Sequence, residues 1–223
     1  MQLLRNIPEV LPQPCVATIG FFDGVHRGHR YLIEQVREVA VAHGFASGVV
    51  TFPVHPRKVV QPEYHPELLT TYEEKVALLA ETGLDYCMML DFTPEVAILS
   101  AKEFMLFLYN HYNIRALVIG YDHRFGHNRS EGFDDYVRYG QELGIEVILA
   151  HAYIDKDVAV SSSVIRQLLS EGNVSEAASC LGYDYFLNGI VVSGYRVGRK
   201  IGFPTANLRV DDCLLYTSPS PRD

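Results

Sequence analysis

The sequence predicts an α/β fold in which a parallel sheet carries helices on both faces, followed by the start of a β-rich unit. Short, continuously apolar runs such as residues 16–22 and 116–119 are typical of strands buried on both faces. Amphipathic stretches such as 31–43 and 134–143 lie between such runs and favour helices. The alternation of the two patterns predicts parallel strands joined by helices.

The individual elements follow in a regular order. The predicted strands are residues 16–22, 46–52, 86–92, 116–119 and 146–150. The predicted helices are 31–43, one beginning near Thr71, one from Ser100 through Tyr112, and 134–143, 161–169 and 174–181. Three helices begin with a capping pattern, which pairs Thr71 with Glu74, Ser100 with Glu103, and Asn173 with Glu176. Ligands bind beyond the carboxyl ends of strands in such sheets, so we expect the functional residues in the loops there.

The pattern changes near residue 185. Residues 185–194 alternate with glycines, and no helix is predicted before Gly202-Phe203-Pro204, which favours the first strand and turn of a β-rich unit. From Cys213 onward the chain has no periodicity and contains two prolines, so we expect this tail to be disordered or an artefact of cloning or assembly. The predicted domains are therefore 1–182 and 183–212, with a tail at 213–223.

Composition excludes several classes of protein. The 223 residues are 48% apolar and 21% charged, which is typical of a globular chain of about one and a half domains. A net charge of −8 argues against a general nucleic-acid surface. No run approaches the length of a membrane span and no secretory signal is visible, so we expect no membrane partner. Four scattered cysteines without a CxxC pair favour free thiols in the cytoplasm.

The loop after the first predicted strand, residues 20–29, carries the strongest chemical signal. It reads GFFDGVHRGH and contains neither the dinucleotide fingerprint GxGxxG nor a P-loop. His26 and His29 flank Gly28 at the expected N-terminus of a helix, where backbone amides and two imidazoles can bind phosphate oxygens. Two surface histidines in a polar turn are the alternative. The position of the motif between a strand and a helix favours phosphate binding.

Three further loops contain candidate ligand-binding residues. Residues 120–132 hold two arginines, two histidines and three glycines, which suits an anionic ligand or equally a solvated polar loop. Residues 160–166 read VSSSVIR, where the serines are either helix caps or, together with Arg166, ligands for a triphosphate. Residues 52–58 read FPVHPRK, and their basic side chains contact either a ligand or only solvent.

Five sequence blocks resemble, in order, those of the prokaryotic bifunctional riboflavin kinase/FMN adenylyltransferases: GFFDGVHRGH, TFPVHPRK, GYDHRFGHNRSEG, VSSSVIR and GYRVGRKIGFPTANL. The resemblance implies a Rossmann-like nucleotidylyltransferase module that transfers AMP from ATP to FMN, giving FAD and pyrophosphate. It also implies a β-barrel module that phosphorylates riboflavin. Mg²⁺ would accompany ATP without a dedicated protein site. The HxGH motif by itself would indicate only the wider superfamily of nucleotidylyltransferases with other acceptors.

The resemblance also implies roles for single residues that match these motifs. The implied catalytic residues are His26, His29 and Arg166. The implied ATP-binding residues are Gly20, Phe21, Asp23, Gly24, Gly28, Asp122, Arg124, Ser162 and Ser163. The implied flavin-binding residues are His55, Arg57, Phe125 and Arg129. The kinase motif GFPTANL retains Gly202, Pro204, Thr205 and Asn207.

Two departures from the family pattern shape the expected activity. The second block commonly reads FDPHP in the family, whereas this chain has Pro53 at the acidic position. The family's barrel continues well beyond GFPTANL to its catalytic glutamate, whereas residues 213–223 do not resemble it. We therefore expect adenylyl transfer from ATP to FMN and no riboflavin kinase activity. The alternatives are a nucleotidylyltransferase with another acceptor and a non-catalytic nucleotide- or flavin-binding remnant.

Overall fold

A six-stranded parallel sheet forms the centre of the fold, as the sequence predicts. The computed structural model describes residues 1–5, 10–120, 123–127, 130–155, 158–195, 197–211 and 213–215. The strands are β1 Gln2–Arg5, β2 Cys15–Ile19, β3 Ala46–Thr51, β4 Tyr86–Met89, β5 Ile114–Ile119 and β6 Glu146–Leu149. They pair in the order β1-β4-β3-β2-β5-β6, so the strand order reverses at β2. Open α/β sheets bind ligands at such a reversal.

Helices connect the strands and continue after the sheet. They are α1 Arg27–His43, α2 Pro56–Val60, α3 Tyr72–Ala80, α4 Pro94–Ala97, α5 Ala101–Tyr112, α6 Phe133–Leu143, α7 Ser162–Ser170, α8 Val174–Leu181 and α9 Val197–Lys200. Two antiparallel pairs join β7 Ile154–Asp155 with β8 Val158–Ala159, and β9 Ile190–Val192 with β10 Asn207–Arg209. Among the described residues, no helix combines the length and the apolar character that a membrane span requires.

Apolar side chains hold helices against both faces of the sheet. β2 and β3 are buried along their whole length, which explains their continuously apolar sequences. One face packs on α5 and α6 through residues such as Leu108 and Tyr136. The other face packs on α1 and α3 through residues such as Val36 and Leu79. Each buried aliphatic side chain contributes about 1.5–3 kcal/mol, so this packing fixes the strand ends from which the site loops leave.

Two of the three predicted capping patterns form. At the start of α3 the Thr71 hydroxyl accepts from the Glu74 amide at 3.2 Å, and the Glu74 carboxylate accepts from the Thr71 amide at 2.8 Å. An equivalent reciprocal pair opens α5. The third prediction, at Asn173, is wrong. Its side chain makes no cap bond and instead donates to the Glu171 carboxylate at 3.2 Å, because that acceptor lies only two residues away.

Several elements differ from the sequence predictions. β1 pairs with β4 at the sheet edge, and the short helices α2 and α4 follow β3 and β4. The first helix begins at Arg27 rather than at residue 31. The prediction that no helix precedes Gly202 is wrong, because α9 lies directly before it. The β9–β10 pair follows the predicted β-rich pattern, although its side chains, such as Val191 and Leu208, are exposed.

The prediction of a disordered tail from Cys213 is wrong for the first residues of that tail. The Leu68 amide donates to the Cys213 carbonyl at 2.8 Å, and the Leu215 amide donates to the Leu68 carbonyl at 2.8 Å. Leu214 and Leu215 are both buried. Backbone pairing and apolar contact therefore hold this segment against the chain before α3. Residues 216–223 lie outside the described part of the chain.

Candidate active site

A cavity of about 890 Å³ lies at the carboxyl ends of β2, β3 and β5. It brings together four loops that the sequence marked as candidates. The predicted site residues that line it are Gly20, Phe21, Asp23, His29, His55, Arg57, Arg124, Phe125, Ser162, Ser163 and Arg166. Gly24, His26 and Gly28, which were also predicted, lie next to these residues but do not line the cavity. Asp122 and Arg129, which were also predicted, lie outside the described residues. The kinase-motif residues Gly202, Pro204, Thr205 and Asn207 are exposed and do not line this cavity.

The two histidines of the first loop lie against each other at the N-terminus of α1. Their rings stack with centroids 3.6 Å apart, and His29 also meets the edge of Phe22 at 5.1 Å. His26 is 4% exposed and caps the helix, since its Nδ1 accepts from the His29 amide at 3.3 Å. That bond leaves the His26 proton on Nε2. The His29 Nδ1 atom is buried and has no hydrogen-bond partner among the described residues.

Both imidazoles are neutral near pH 7. Burial, followed by the nearby Arg166 guanidinium, lowers the pKa of His26 to about 4. Burial, followed by His26 and Lys75, lowers the pKa of His29 well below its ordinary value. Desolvation disfavours the charged form of a histidine, which explains both directions. The pair therefore acts through neutral N–H donors and not as two cations.

Gly28 is required by the histidine packing. A Cβ atom at this position would lie 3.2 Å from the His26 ring and 3.3 Å from the Val160 carbonyl oxygen. Those distances are shorter than ordinary carbon contacts, so a side chain here would displace the His26 ring or the chain that enters α7. The sequence suggested that this glycine lets a nucleotide approach the backbone. The structure shows that the histidine ring itself occupies the space.

The loop at Phe22–Val25 has an unusual backbone. The φ angles of Phe22, Gly24 and Val25 are 57°, 75° and 35°. Non-glycine residues in this region cost about 1–3 kcal/mol each and persist only when neighbours hold them. Three hydrogen bonds do so here: the Gly24 amide donates to the Thr70 hydroxyl at 3.1 Å, the Ser162 hydroxyl donates to the Asp23 carbonyl at 2.9 Å, and the Tyr183 hydroxyl donates to the Gly24 carbonyl at 2.7 Å.

The Asp23 carboxylate connects the first loop to α3 and α7. It is 4% exposed and accepts from the amides of Leu69 at 2.9 Å and Thr70 at 3.2 Å. Arg166 lies 3.5 Å from its second oxygen. Burial raises the pKa of this carboxyl group, and Arg166 and the two amides oppose that rise. Asp23 therefore fixes Arg166 and the start of α3, although the sequence placed it among residues that contact ATP directly.

The serines at the start of α7 divide between capping and site roles. Ser161 is the cap, because its hydroxyl accepts from the Val164 amide at 3.3 Å. Ser162 holds the first loop, and Ser163 faces the cavity. One turn later Arg166 donates from Nε to the Glu67 carbonyl at 2.8 Å, which aims its guanidinium toward the cavity.

The loop after β5 is built around Phe125. Its ring stacks on Tyr136 with centroids 4.2 Å apart. Its backbone amide donates to the Tyr136 hydroxyl at 3.1 Å. Phe125 is thus a core residue as well as a wall of the cavity. Arg124 donates to the Glu131 carbonyl at 2.9 Å, and Gly126 has a φ of 93° where the loop turns against α5.

Apolar and aromatic side chains form another part of the cavity wall. His55 meets the Phe21 ring edge at 4.7 Å, and the Arg57 guanidinium lies 4.4 Å from the centre of the Tyr64 ring. Other apolar side chains complete this part of the wall: Phe52, Val60, Phe92, Val96, Leu99 and Phe104. The cavity therefore has a polar half, formed by histidine, serine and arginine side chains, and an aromatic half.

Sequence reasoning missed two residues at the site. Tyr183 holds the first loop from a segment that the sequence assigned to the second unit. Lys75, on α3, is 2% exposed and lies directly behind Phe21 and Phe52. Its position one turn before the buried Leu78 and Leu79 was a readable signal, because that spacing puts a lysine on the apolar face of an amphipathic helix.

No cluster of three or more His, Cys, Asp or Glu side chains that could hold a metal ion is found among the described residues. The most buried carboxylate of the cavity, Asp23, already bonds two amides and Arg166. A hard cation such as Mg²⁺ prefers several oxygen ligands and retains its waters.

Comparison with known proteins agrees with this geometry. The FAD synthetase family model matches residues 9–164, and the riboflavin kinase family model matches residues 181–219. The second match extends beyond Cys213, where the sequence was expected to leave the family.

Relatives match most of the chain. The bifunctional riboflavin kinase/FMN adenylyltransferase of Escherichia coli K12 is 36% identical over 93% of this chain and 68% of its own length. That of Listeria monocytogenes is 33% identical over 90% of this chain and 64% of its own length. A crystal structure described as a macrolide-efflux protein from Streptococcus pneumoniae has a TM-score of 0.77 and 32% identity, covering 90% of this chain and 65% of that one. The chain thus spans about two thirds of the length of the proteins it matches.

Proposed function

The chain belongs to the bifunctional riboflavin kinase/FMN adenylyltransferase family, and from that premise we propose that its cavity at the carboxyl ends of β2, β3 and β5 transfers AMP from ATP to FMN. The observation that carries the proposal is the pair of neutral, stacked histidines at the N-terminus of α1. One of them, His29, has a buried Nδ1 atom without a hydrogen-bond partner among the described residues, and it lines the same cavity as Arg166.

The polar half of the cavity suits the triphosphate of ATP. The N-terminus of α1 offers backbone amides and partial positive charge to a phosphate. His29 lines the cavity and His26 stacks against it outside the lining, and we assign both to donate hydrogen bonds to phosphate oxygens. Ser163 and Arg124 extend the polar wall. The Arg166 guanidinium neutralises charge on the leaving pyrophosphate. Gly20 and Phe21 shape the cavity wall that the nucleotide meets, Gly24 and Gly28 let the first loop and the His26 ring pack behind that wall, and Asp23 and Ser162 hold the loop in place.

The aromatic half suits the flavin. Flat aromatic ligands stack on or meet the edges of aromatic side chains, which Phe52, Phe92 and Phe104 provide. His55 and Arg57 add basic side chains to this aromatic part of the wall, where they would bind the FMN phosphate. Ligand pockets usually measure about 300–1,000 Å³. The volume of about 890 Å³ is at the upper end of that range, as a site for two substrates requires.

The chemistry proposed is a single in-line displacement. An oxygen of the FMN phosphate attacks the α-phosphorus of ATP, and the bond between the α-phosphorus and the bridging oxygen to the β-phosphate breaks. FAD and pyrophosphate are the products, and no covalent enzyme intermediate forms. Such transfers depend on positioning and on stabilising charge at the phosphoryl oxygens. Mg²⁺ enters as part of the ATP substrate complex and neutralises charge on its phosphates.

The proposal extends to the partners of the protein, its cellular compartment and the riboflavin kinase activity. Its partners in this proposal are the small-molecule substrates ATP and FMN. The net charge of −8 disfavours nucleic acid and an anionic membrane surface. The four free cysteines suit the reducing cytoplasm. For riboflavin kinase activity we propose absence in this polypeptide, because β9 and β10 hold only three residues each and expose their apolar side chains.

A direct assay tests the proposal. The protein is incubated with ATP, Mg²⁺ and FMN, and FAD and pyrophosphate are quantified by chromatography. His29→Ala should lower turnover by about 10²–10³-fold while the fold survives, since it removes one transition-state hydrogen bond. His111→Ala, an exposed histidine of α5 outside the cavity, is the matched control and should turn over at the wild-type rate. Absence of FAD from the wild-type reaction would overturn the assignment, and FAD formation from added riboflavin would contradict the missing kinase activity.

A further inference from the structure

Lys75 is a buried cation that the proposed chemistry does not use. Its side chain is 2% exposed, and its ammonium donates to the Phe52 carbonyl at 2.6 Å and lies 3.9 Å from the centre of the Phe21 ring. Among the described residues, no carboxylate lies within ion-pair distance of this ammonium. A buried charge without an ionic partner is destabilising, because a carbonyl and an aromatic face replace only part of its hydration.

The position of this charge relates it to the substrates. Phe21 and Phe52 both line the cavity, so the ammonium lies one layer of side chains behind the wall. Phe21 belongs to the loop that carries the histidines, and His55 meets the edge of the same ring. The wall between ammonium and cavity is apolar, and an apolar medium screens charge less than water does.

We propose that Lys75 is a positioning residue whose buried positive charge strengthens binding of the anionic substrates, at a cost to the stability of the fold. The inference rests on the proposed adenylyl transfer, in which ATP and FMN together bring several phosphate charges into the cavity. At roughly 8–10 Å and an effective dielectric constant of about 20, one unit charge opposite another changes affinity by about 10- to 30-fold.

The groups around Lys75 set its pKa in a range where bound anions can change its protonation. Burial lowers the pKa of Lys75 to about 8, and Asp23 and then Cys87 oppose that effect. Cys87 is a neutral thiol, because burial raises its pKa to about 11. Burial is the main cause that lowers the pKa of His29 and of His55, and the charge of the Lys75 ammonium adds to the lowering in both. In the free protein the ammonium therefore loses its proton as the pH rises through about 8, and bound phosphate anions favour its retention.

The test compares Lys75→Met, Lys75→Arg and the control Lys102→Met, which removes an exposed lysine of α5. For each variant, KM for ATP and for FMN and the urea midpoint of unfolding are measured. We expect Lys75→Met to raise KM for ATP about 10- to 30-fold, with a midpoint close to that of the wild type, because removal of the buried charge offsets the loss of the hydrogen bond to the Phe52 carbonyl. Lys75→Arg, which keeps the charge, should recover most of the affinity. Lys102→Met should leave KM unchanged.

A pH profile supplies a second readout. KM for ATP in the wild type should rise as the pH increases through about 8, and this rise should be absent in Lys75→Met. Unchanged KM values in Lys75→Met would overturn the proposal, and so would a lower midpoint or failure to fold, because each would make the lysine purely structural. Failure of the proposed function is distinguishable, since wild-type protein would then form no FAD at all.

Discussion

The Tyr183 hydroxyl offers a sharp test of how the first loop is held. Tyr183→Phe removes the donor of a 2.7 Å hydrogen bond to the buried Gly24 carbonyl. Leaving a buried polar group without its partner costs about 1–3 kcal/mol, so the free energy of unfolding should fall by that amount. For a chain of this size, each 1 kcal/mol lowers the melting temperature by about 2–4 °C.

The same change should also slow catalysis. The Gly24 carbonyl belongs to the backbone whose φ angles are strained at Phe22 and Val25, so losing one of its hydrogen bonds lets the loop relax. A shift of about 1 Å in a reacting group can lower turnover by roughly 10²-fold. We expect kcat for FAD formation to fall by about 10- to 100-fold, measured under saturating ATP and FMN.

The chain provides a matched control two residues later. The Tyr185 hydroxyl is buried and has no hydrogen-bond partner among the described residues. Tyr185→Phe removes the same atom from a neighbouring side chain without breaking a bond, so it should leave stability and turnover unchanged or slightly raise stability. Thermal unfolding followed by far-UV circular dichroism, together with FAD assays, compares the two variants. Equal melting temperatures and equal turnover for both would refute the reasoning.

Three further predictions concern His26, the loop after β5 and Arg166. Burial lowers the pKa of His26 to about 4 from 6.5, so the unfolded chain binds a proton that the folded chain does not between those values. The free energy of unfolding should therefore decrease by up to about 3 kcal/mol as pH falls through that window, and urea titrations of His26→Gln should show a shallower decrease. Gly126→Ala places a Cβ atom 2.7 Å from the Ala101 amide nitrogen at a residue with φ 93°, and should lower the free energy of unfolding by about 2–4 kcal/mol, measured by thermal unfolding. The control Gly144→Ala, at φ 73° with no atom within 4 Å of the new Cβ, should lower it by only about 1–2 kcal/mol. Arg166→Lys cannot keep both guanidinium contacts and should lower kcat/KM for ATP by about 10- to 100-fold, and an unchanged kcat/KM would contradict its role.

Local patterns account for the parts of the fold that the sequence predicts well. Capping at Thr71 depends on a residue three positions away, so the pattern alone defines the helix start. The strands are recognisable because burial on both faces requires continuous apolar runs. β1 was not predicted because it is a four-residue edge strand with one buried side chain, Leu4, and its pairing with β4 depends on residues 84 positions away in sequence.

The candidate site also contains residues that local motifs predict and residues whose contacts depend on distant parts of the chain. His29 and Arg166 line the cavity together because their motifs lie at strand and helix ends, which a parallel sheet gathers at one edge. His26 stacks on His29 without lining the cavity. Tyr183 and the carboxylate of Asp23 act through partners that are distant in sequence. No local sequence pattern predicts such contacts. The sequence therefore places Asp23 in the correct loop but does not indicate that its carboxylate accepts hydrogen bonds from backbone amides.

The three hydrogen bonds that hold the first loop have a consequence for the order of folding. Their partners are separated along the chain by 46, 139 and 159 residues. Contacts of such high sequence separation are expected to form late, because the entropy cost of closing a long loop comes before the favourable energy of the contact. β2 and α1 can therefore pack early, whereas the contacts that fix the loop of His26 and His29 form only after α7 and the segment following α8 have docked. A nascent chain that has not yet reached Tyr183 would contain His26 and His29 in its sequence and still lack the contacts that hold their loop in the proposed site.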